Sequence, residues 1–256
     1  APPTPFMARP AELEHMAALL NGPDCRLLTL IGPGGIGKTR LAVQTAATVS
    51  MDGFPDGVYF IGLAGLDTPT YLVPQMAETL GVALKSTDDL TAQFLKYLSE
   101  RRLLLVLDNL EHLIAAAAPL LARILDAAPG VRVLVTSRER VNIGGEHLLP
   151  VEGLPTPPEN ESDPARLATY ASVRLLLSAA GRSNTHFRPT PDDWPALADI
   201  CRLVEGLPLG LELAAAWFPS LSPAEVAAEI RHNLDFLETT QRDAPARHRS
   251  LRAVFD

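Results

Sequence analysis

The chain has 256 residues, of which 47% are hydrophobic, enough to bury one large core or two small ones. Its 22 basic and 30 acidic side chains give a formal net charge of −8, which argues against a broad nucleic-acid-binding face. No apolar run reaches the about 18 residues that a membrane span needs. The first five residues do not have the chemistry of a signal peptide, so the sequence predicts a cytoplasmic protein that binds neither membranes nor nucleic acid directly.

Short apolar runs alternate with amphipathic segments over the first 150 residues or so. A helix predicted at 10–20 precedes a strand at 27–31, a glycine-rich loop and a helix at 38–47. The pattern continues with strands at 58–61, 103–107, 131–135 and 148–151, and with helices at 72–80, 90–98 and 113–127. Strands that alternate with helices predict a parallel sheet with helices on both faces.

The composition changes at residues 154–162, where prolines and polar residues predict a linker. Only helices are predicted beyond it, at 163–180, 190–206 and 207–217, and a fourth that opens with a capping box at 222–225. The expected organisation is an α/β domain at 1–153, which includes an N-terminal segment at 1–22, and an all-α domain at 163–240. The chain starts without methionine and stops within an apolar periodic segment, which indicates a fragment of a longer protein.

Residues 32–39 match the P-loop pattern G-x-x-x-x-G-K-[ST] at every fixed position, between a predicted strand and a predicted helix. Glycines let backbone N–H groups surround a phosphate, and the helix N-terminus adds partial positive charge. We expect Lys38 to reach the terminal phosphates and the Thr39 hydroxyl to bind Mg²⁺. The predicted nucleotide-binding residues of this loop are Gly32, Pro33, Gly34, Gly35, Ile36, Gly37, Lys38, Thr39 and Arg40. The fold class is therefore a P-loop NTPase with a three-layer parallel sheet, followed by a C-terminal all-α domain.

An acidic residue follows the predicted strand at 103–107. Asp108 is expected to hold Mg²⁺ at the carboxyl end of that strand. Many hydrolytic P-loop enzymes place a second carboxylate directly afterwards, but this position is Asn109, whose amide cannot accept a proton at neutral pH. Glu111 could replace that carboxylate as the catalytic base, or it could be a solvated residue that opens the next helix. Hydrolysis is therefore expected to be slow.

A polar and cationic cluster at 136–140 follows the predicted strand at 131–135. Its Arg138 could bind a γ-phosphate, because guanidinium donors match phosphate oxygens. The same cluster could instead be a surface loop with two arginines. Cys25 and Cys201 are interpreted as reduced thiols, and the six histidines show no zinc pattern, so Mg²⁺ is the one metal predicted.

Four segments in this order resemble the NB-ARC ATPases, also called AP-ATPases, of the STAND class, and are most similar to the bacterial regulators among them. The segments are 28–39, 104–112, 135–138 and the Gly-Leu-Pro-Leu motif at 206–209. The resemblance implies a switch that binds ATP or ADP with Mg²⁺ and hydrolyses ATP slowly. It implies that Arg138 senses the γ-phosphate and that Pro208 packs near adenine. Phe6, Met7 and Arg9 match the segment that contacts the base in relatives, although the usual small-Gly-Arg pattern reads Met7-Ala8-Arg9 here.

The resemblance also implies what the rest of the protein contains. Residues 241–256 look like the start of a winged-helix domain, with sensor domains beyond it, and the class is compatible with a nucleotide-dependent homo-oligomer. The main alternative is a mechanical ATPase or loader of the AAA+ type with continuous turnover. An interaction module with a decayed P-loop fits poorly with the intact Lys38, Thr39 and Asp108, and a small-molecule kinase would need an acceptor site that the sequence does not show.

Overall fold

A computed structural model describes residues 6–7, 9–49, 53–85, 89–233 and 236–237. By their contacts these residues form two compact units. The first consists of residues 9–32 and 38–151, and the second of the described residues within 1–8, 33–37 and 152–256. The middle of the glycine-rich loop therefore belongs, by its contacts, to the second unit. The predicted start of a winged-helix domain at 241–256 lies outside the described residues.

Five parallel strands form the sheet of the first unit. They are β1 (Leu27–Ile31), β2 (Val58–Gly62), β3 (Leu104–Asp108), β4 (Arg132–Ser137) and β5 (Glu146–Pro150). Their order across the sheet is β2-β3-β4-β1-β5, so that β4 lies between β1 and β3. The five predicted strands are confirmed, and each bound lies within two residues of the prediction. Continuous apolar runs mark β1, β3 and β4, which are buried along almost their whole length, whereas the edge strands β2 and β5 are only partly buried.

Helices α1 (Pro10–Asn21), α2 (Lys38–Thr48), α3 (Leu72–Thr79), α4 (Leu90–Leu98) and α5 (Ile114–Ala127) complete the first unit. The chain leaves β1 through α2 to β2 at the edge, and then returns through α3, α4 and α5 toward β4 in the opposite direction. Because crossovers between parallel strands are right-handed, this reversal places α2 on one face of the sheet and α3 to α5 on the other. The predicted three-layer parallel sheet is confirmed.

A buried cluster lies between the sheet and the helices α3 to α5. Leu105 and Leu107 of β3 point to the same side of the strand and pack in one buried cluster with Phe94 and Leu98 of α4 and Met76 of α3. Asp89 begins α4 as its N-cap, since its carboxylate accepts hydrogen bonds from two backbone N–H groups of the first turn.

Among its described residues the second unit contains the α-helices α6 (Pro164–Leu167), α7 (Ala171–Ser183), α8 (Trp194–Leu203), α9 (Pro208–Ala215) and α10 (Pro223–His232), and a 3₁₀ turn at Pro191–Asp193. The capping box at the start of α10 is present, with Ser222 and Glu225 as its reciprocal partners. The single helix predicted at 163–180 is wrong. Tyr170 has an extended backbone, which ends the first helix and makes α7 a separate one. The Ser172 hydroxyl, in the first turn of α7, donates a hydrogen bond to the Pro155 carbonyl at 2.7 Å.

The proline-rich segment at 154–162 contains no helix or strand. It is hydrogen-bonded to other residues of the second unit. The Leu154 N–H donates to the Gly206 carbonyl at 2.9 Å, and Arg202 donates to the Pro157 carbonyl at 3.3 Å. Gly206 has a φ of +67°, and a Cβ added there would lie 2.0 Å from the Leu154 carbonyl oxygen. A glycine is therefore required where this segment meets the helices.

The structure also bears on the state of the two cysteines and on membrane-spanning helices. Cys25 and Cys201 are buried free thiols, and burial raises the pKa of Cys201 to about 12, so that it stays protonated at neutral pH. Within the ranges given above, no helix is both long enough and apolar enough to cross a membrane.

Thr29 in β1 offers a test of the packing of the sheet. Its hydroxyl is fully buried and has no hydrogen-bond partner among the described residues. Thr29→Val removes this unsatisfied group and is expected to raise the free energy of unfolding by about 1 kcal/mol in urea denaturation. Thr136→Val is the matched control, because the Thr136 hydroxyl is hydrogen-bonded. It should instead lower the free energy of unfolding by about 1–3 kcal/mol, and equal losses for both variants would contradict this description of the core.

Candidate functional site

The glycine-rich loop joins β1, which ends at Ile31, to α2, which begins at Lys38. Gly35 and Gly37 have φ values of +69° and +99°, a conformation that residues with a Cβ rarely adopt. The strand, loop and helix therefore follow one another as the motif requires. A loop built this way can direct backbone N–H groups at an anion.

Lys38 and Thr39 form the first turn of α2. The Lys38 ammonium donates to the Gly32 carbonyl at 2.6 Å, which holds the cation at the mouth of the loop. Thr39 is exposed, and its hydroxyl donates to Oδ1 of Asp108 at 2.7 Å. The P-loop helix and the end of β3 are therefore linked directly, although β4 lies between β1 and β3 in the sheet.

Asp108 is the last residue of β3 and is only 6% exposed. Its Oδ1 accepts a second hydrogen bond, from the Thr136 hydroxyl of β4, at 2.6 Å. Two hydroxyl donors thus satisfy a buried carboxylate oxygen, as burial of a charged group requires. Thr136 was not among the individual site residues predicted from the sequence. The one signal for it was its position at the carboxyl end of a neighbouring parallel strand.

Asn109 turns the chain immediately after Asp108. Its φ is +66°, a left-handed conformation that asparagine tolerates better than most residues. The Asn109 N–H donates to the Thr136 hydroxyl at 2.9 Å, and the Leu110 N–H donates to the Thr136 carbonyl at 3.0 Å. The position directly after Asp108 is therefore used to join the ends of β3 and β4.

Glu111 and Arg138 lie together at this edge. Nε of Arg138 is 3.6 Å from Oε1 of Glu111, and their side chains are 33% and 21% exposed, respectively. Oε2 of Glu111 is buried and has no hydrogen-bond partner in the part of the chain that the structure describes. Glu111 opens the 3₁₀ turn Glu111–Leu113, as one alternative expected, but its carboxylate is mostly buried rather than solvated.

The residues of the first unit fit a magnesium ion. The Thr39 hydroxyl and the Asp108 carboxylate are hard oxygen ligands, and they already lie in contact. Among the described residues, no group of three or more His, Cys, Asp or Glu side chains could hold a metal ion. This donor set suits Mg²⁺, which is usually held by one or two protein oxygens together with water and phosphate oxygens.

Within the second unit, loop residues 33–37 contact the start of α9. The Leu209 N–H donates to the Gly35 carbonyl at 3.2 Å, and a Cβ added at Gly35 would lie 2.6 Å from Cβ of Leu209. A Cβ at Gly37 would lie 4.0 Å from Cγ of Pro208, which is half-buried. The Gly-Leu-Pro-Leu motif at 206–209 therefore packs on the glycine-rich loop.

For the remaining predicted site residues, the structure shows the surroundings of each side chain but does not test its predicted role. Phe6 and Met7 are half-buried, and Arg9 is 8% exposed and forms an ion pair with Glu12 at 3.2 Å. Arg40 lies in the first turn of α2 and is half-buried. Contact of Phe6, Met7, Arg9 or Pro208 with a base stays a prediction.

The chain is similar to a family model and to several known regulators. Residues 23–142 match the model of the AAA domain family. The chain is 33% identical over 231 residues to a Mycobacterium tuberculosis protein named "Putative HTH-type transcriptional regulator", an alignment that covers 90% of this chain and 24% of that protein. It is 29% identical over 243 residues to the regulatory protein AfsR of Streptomyces griseus, covering 89% of this chain and 22% of AfsR. The chain thus spans about a quarter of the length of each regulator.

Two solved structures share the fold. One is a STAND protein with a tetratricopeptide repeat sensor from Pyrococcus horikoshii, with 18% identity, a TM-score of 0.54, and coverage of 89% of this chain and 32% of that one. The other is a Drosophila ORC structure bound to DNA, with 15% identity, a TM-score of 0.61, and coverage of 94% and 70%. At these identities the likeness shows the fold alone, and it confirms the predicted P-loop NTPase fold with a helical C-terminal region.

Gly35 tests the packing of the loop. Gly35→Ala would place a Cβ in a left-handed conformation and against Leu209, so it is expected to lower the free energy of unfolding by about 1–3 kcal/mol in urea denaturation. Gly65→Ala is the matched control, because a Cβ there meets open space and its φ is not left-handed. Equal stability of the two variants would show that the described loop geometry is wrong.

Proposed function

We propose that this chain is the nucleotide-binding part of a larger transcriptional regulator, and that it binds ATP and ADP with Mg²⁺ as a switch with slow intrinsic hydrolysis. The observation that carries the proposal is the contact of the Thr39 hydroxyl, which follows the P-loop in the sequence, with the Asp108 carboxylate. Thr39 lies in the helix that follows β1, and Asp108 is the last residue of β3. Open α/β sheets bind ligands at the carboxyl ends of their parallel strands.

Each group at this edge has a role in binding. The backbone N–H groups of the loop and the N-terminus of α2 would surround the phosphates. The Lys38 ammonium, held beside the Gly32 carbonyl, would neutralise the terminal phosphates. Thr39 and Asp108 would hold Mg²⁺, which when bound supplies positive charge to the phosphate oxygens.

A switch requires contacts that differ between ATP and ADP, and the two nucleotides differ in the γ-phosphate. Arg138, at the end of β4 and one third exposed, is the cation that we assign to that phosphate. Slow hydrolysis follows from Asn109, because the position directly after Asp108 holds an amide and joins β3 to β4. A nucleotide that is hydrolysed slowly can define a long-lived state.

Membership of the NB-ARC family is the finer part of the proposal. It is supported by the Gly-Leu-Pro-Leu motif, whose Leu209 and Pro208 pack on the loop within the second unit. The names and lengths of the matched regulators support further domains and a role in transcriptional control. Winged-helix and sensor domains among them are part of the same proposal. Adenine contacts from Phe6, Met7, Arg9 and Pro208, and self-association of the ATP form, belong to the same proposal.

The second candidate is a mechanical ATPase or loader of the AAA+ type. The match to the AAA domain family and the fold similarity to the ORC structure favour it. Steady-state turnover separates the two functions. A rate near the roughly 10 s⁻¹ median of enzymes would favour the motor, whereas the switch predicts a rate orders of magnitude lower.

Lys38 provides the direct test of nucleotide binding. Titration of the wild-type chain in a calorimeter with Mg²⁺ present is expected to show binding of both ATP and ADP. Lys38→Ala should abolish both, because the terminal phosphates lose their cation. Lys96→Ala, on the exposed side of α4, is the control and should bind as the wild type does. Failure of the wild-type chain to bind either nucleotide would overturn the proposed function.

A further inference from the structure

The ion pair between Glu111 and Arg138 joins two residues that have separate tasks in the proposed function. Arg138 must reach a γ-phosphate, and Glu111 is the first carboxylate after Asp108 along the chain. Their charged groups are 3.6 Å apart. While they are paired, Nε of the guanidinium faces Glu111 and the negative charge of the carboxylate is partly neutralised, so the pair opposes the separate task of each residue.

The backbone around the pair fixes both residues. Thr136 accepts hydrogen bonds from the N–H groups of Asn109 and Leu110, and its own hydroxyl donates to Asp108. The ends of β3 and β4 are therefore tied together immediately before Glu111 and Arg138. The pair can then form and break by rotation of the two side chains, without movement of the sheet.

A neighbouring ion pair shows what a structural pair looks like in this chain. Arg140 contacts Glu146 at 3.7 Å, and both carboxylate oxygens of Glu146 also accept backbone N–H groups, those of Val141 and Asn142, at 2.8 Å each. The carboxylate of Glu146 is therefore fully used in holding a turn. Oε2 of Glu111, by contrast, is buried and has no hydrogen-bond partner among the described residues. Glu111 thus retains a carboxylate oxygen whose capacity to accept a hydrogen bond the described residues do not use.

We propose that the Glu111–Arg138 pair is a latch that ATP opens. Without a γ-phosphate the two side chains are paired. A bound γ-phosphate, which offers several oxygens to the planar guanidinium, draws Arg138 away and frees the Glu111 carboxylate. Exchange is feasible because ion pairs between partly exposed groups are weak. The latch rests on the proposed binding of ATP at the P-loop.

The freed Glu111 carboxylate acts as a base in the hydrolysis of ATP. Glu111 accepts a proton from a water molecule as the water oxygen forms a bond to the γ-phosphorus. The bond between that phosphorus and the oxygen bridging to the β-phosphate breaks, and ADP and inorganic phosphate leave. Glu111 then returns its proton to solvent and pairs again with Arg138. In this account Glu111 is the catalytic base, and hydrolysis begins only after Arg138 has engaged the γ-phosphate.

The test uses the variants Glu111→Gln, Arg138→Ala and the double variant, with ATP and ADP affinities and single-turnover hydrolysis as readouts. Glu111→Gln should raise ATP affinity about two- to five-fold, because Arg138 no longer has a competing partner. It should leave ADP affinity unchanged and slow hydrolysis by about 100-fold or more. Arg138→Ala should weaken ATP more than ADP. In the Arg138→Ala background, Glu111→Gln should no longer change ATP affinity, because the two residues act through one another.

Two further variants complete the design. Arg140→Ala is the matched control, since it breaks the neighbouring ion pair, and it should leave both affinities and hydrolysis as in the wild type. Glu111→Asp shortens the side chain while keeping its charge, so it should also raise ATP affinity and slow hydrolysis. It serves as the second variant if Glu111→Gln does not fold, as judged by urea denaturation.

The outcomes separate the latch from the function on which it rests. A wild-type chain that binds neither nucleotide refutes the proposed function before any variant is compared. A wild-type chain that binds both, with Glu111→Gln altering ATP and ADP affinity equally or not at all, refutes the latch while binding stands. Unchanged hydrolysis in Glu111→Gln refutes Glu111 as the base.

Discussion

One carboxylate oxygen determines how the candidate site is arranged. Oδ1 of Asp108 accepts two hydrogen bonds. One comes from the Thr39 hydroxyl in the first turn of α2, and the other from the Thr136 hydroxyl at the end of β4. Burial of a carboxylate is costly unless the group accepts hydrogen bonds, and the two hydroxyls supply them. The P-loop helix, the acidic strand end and the strand between them are consequently held at one edge of the sheet, and Glu111 and Arg138 follow shortly after the ends of β3 and β4.

The same interaction extends into the chain that follows. Because Thr136 also accepts the N–H groups of Asn109 and Leu110, the left-handed turn at Asn109 is fixed against β4. An amide at this position is therefore consistent with its backbone role, and the next available carboxylate is that of Glu111. This turn brings Glu111 to Arg138 and couples a candidate base to a candidate phosphate sensor. A switch needs contacts that differ between its two ligands, and the γ-phosphate is the group that distinguishes ATP from ADP.

Much of this arrangement could be predicted from local patterns. Strands buried on both faces appear as unbroken apolar runs, and the P-loop is a contiguous motif whose glycines have identifiable backbone roles. The order of strands in a sheet is not a local property. That Thr136 lies beside Asp108, and that Glu111 meets Arg138, depends on β4 being inserted between β1 and β3. The separation of α6 from α7 was not predicted for a similar reason. The hydrogen bond from the Ser172 hydroxyl to the Pro155 carbonyl joins residues that are distant in the sequence.

The central claim is that Thr39 and Asp108 form a divalent-cation site that depends on nucleotide. Electron paramagnetic resonance of Mn²⁺, used in place of Mg²⁺, measures this directly on the wild-type chain and on Thr39→Ala and Asp108→Asn. The account predicts a protein-bound Mn²⁺ signal when ATP or ADP is present, and a weakened or lost signal in both variants. A signal of equal strength in the wild type and both variants, or protein-bound Mn²⁺ that is indifferent to nucleotide, would contradict it.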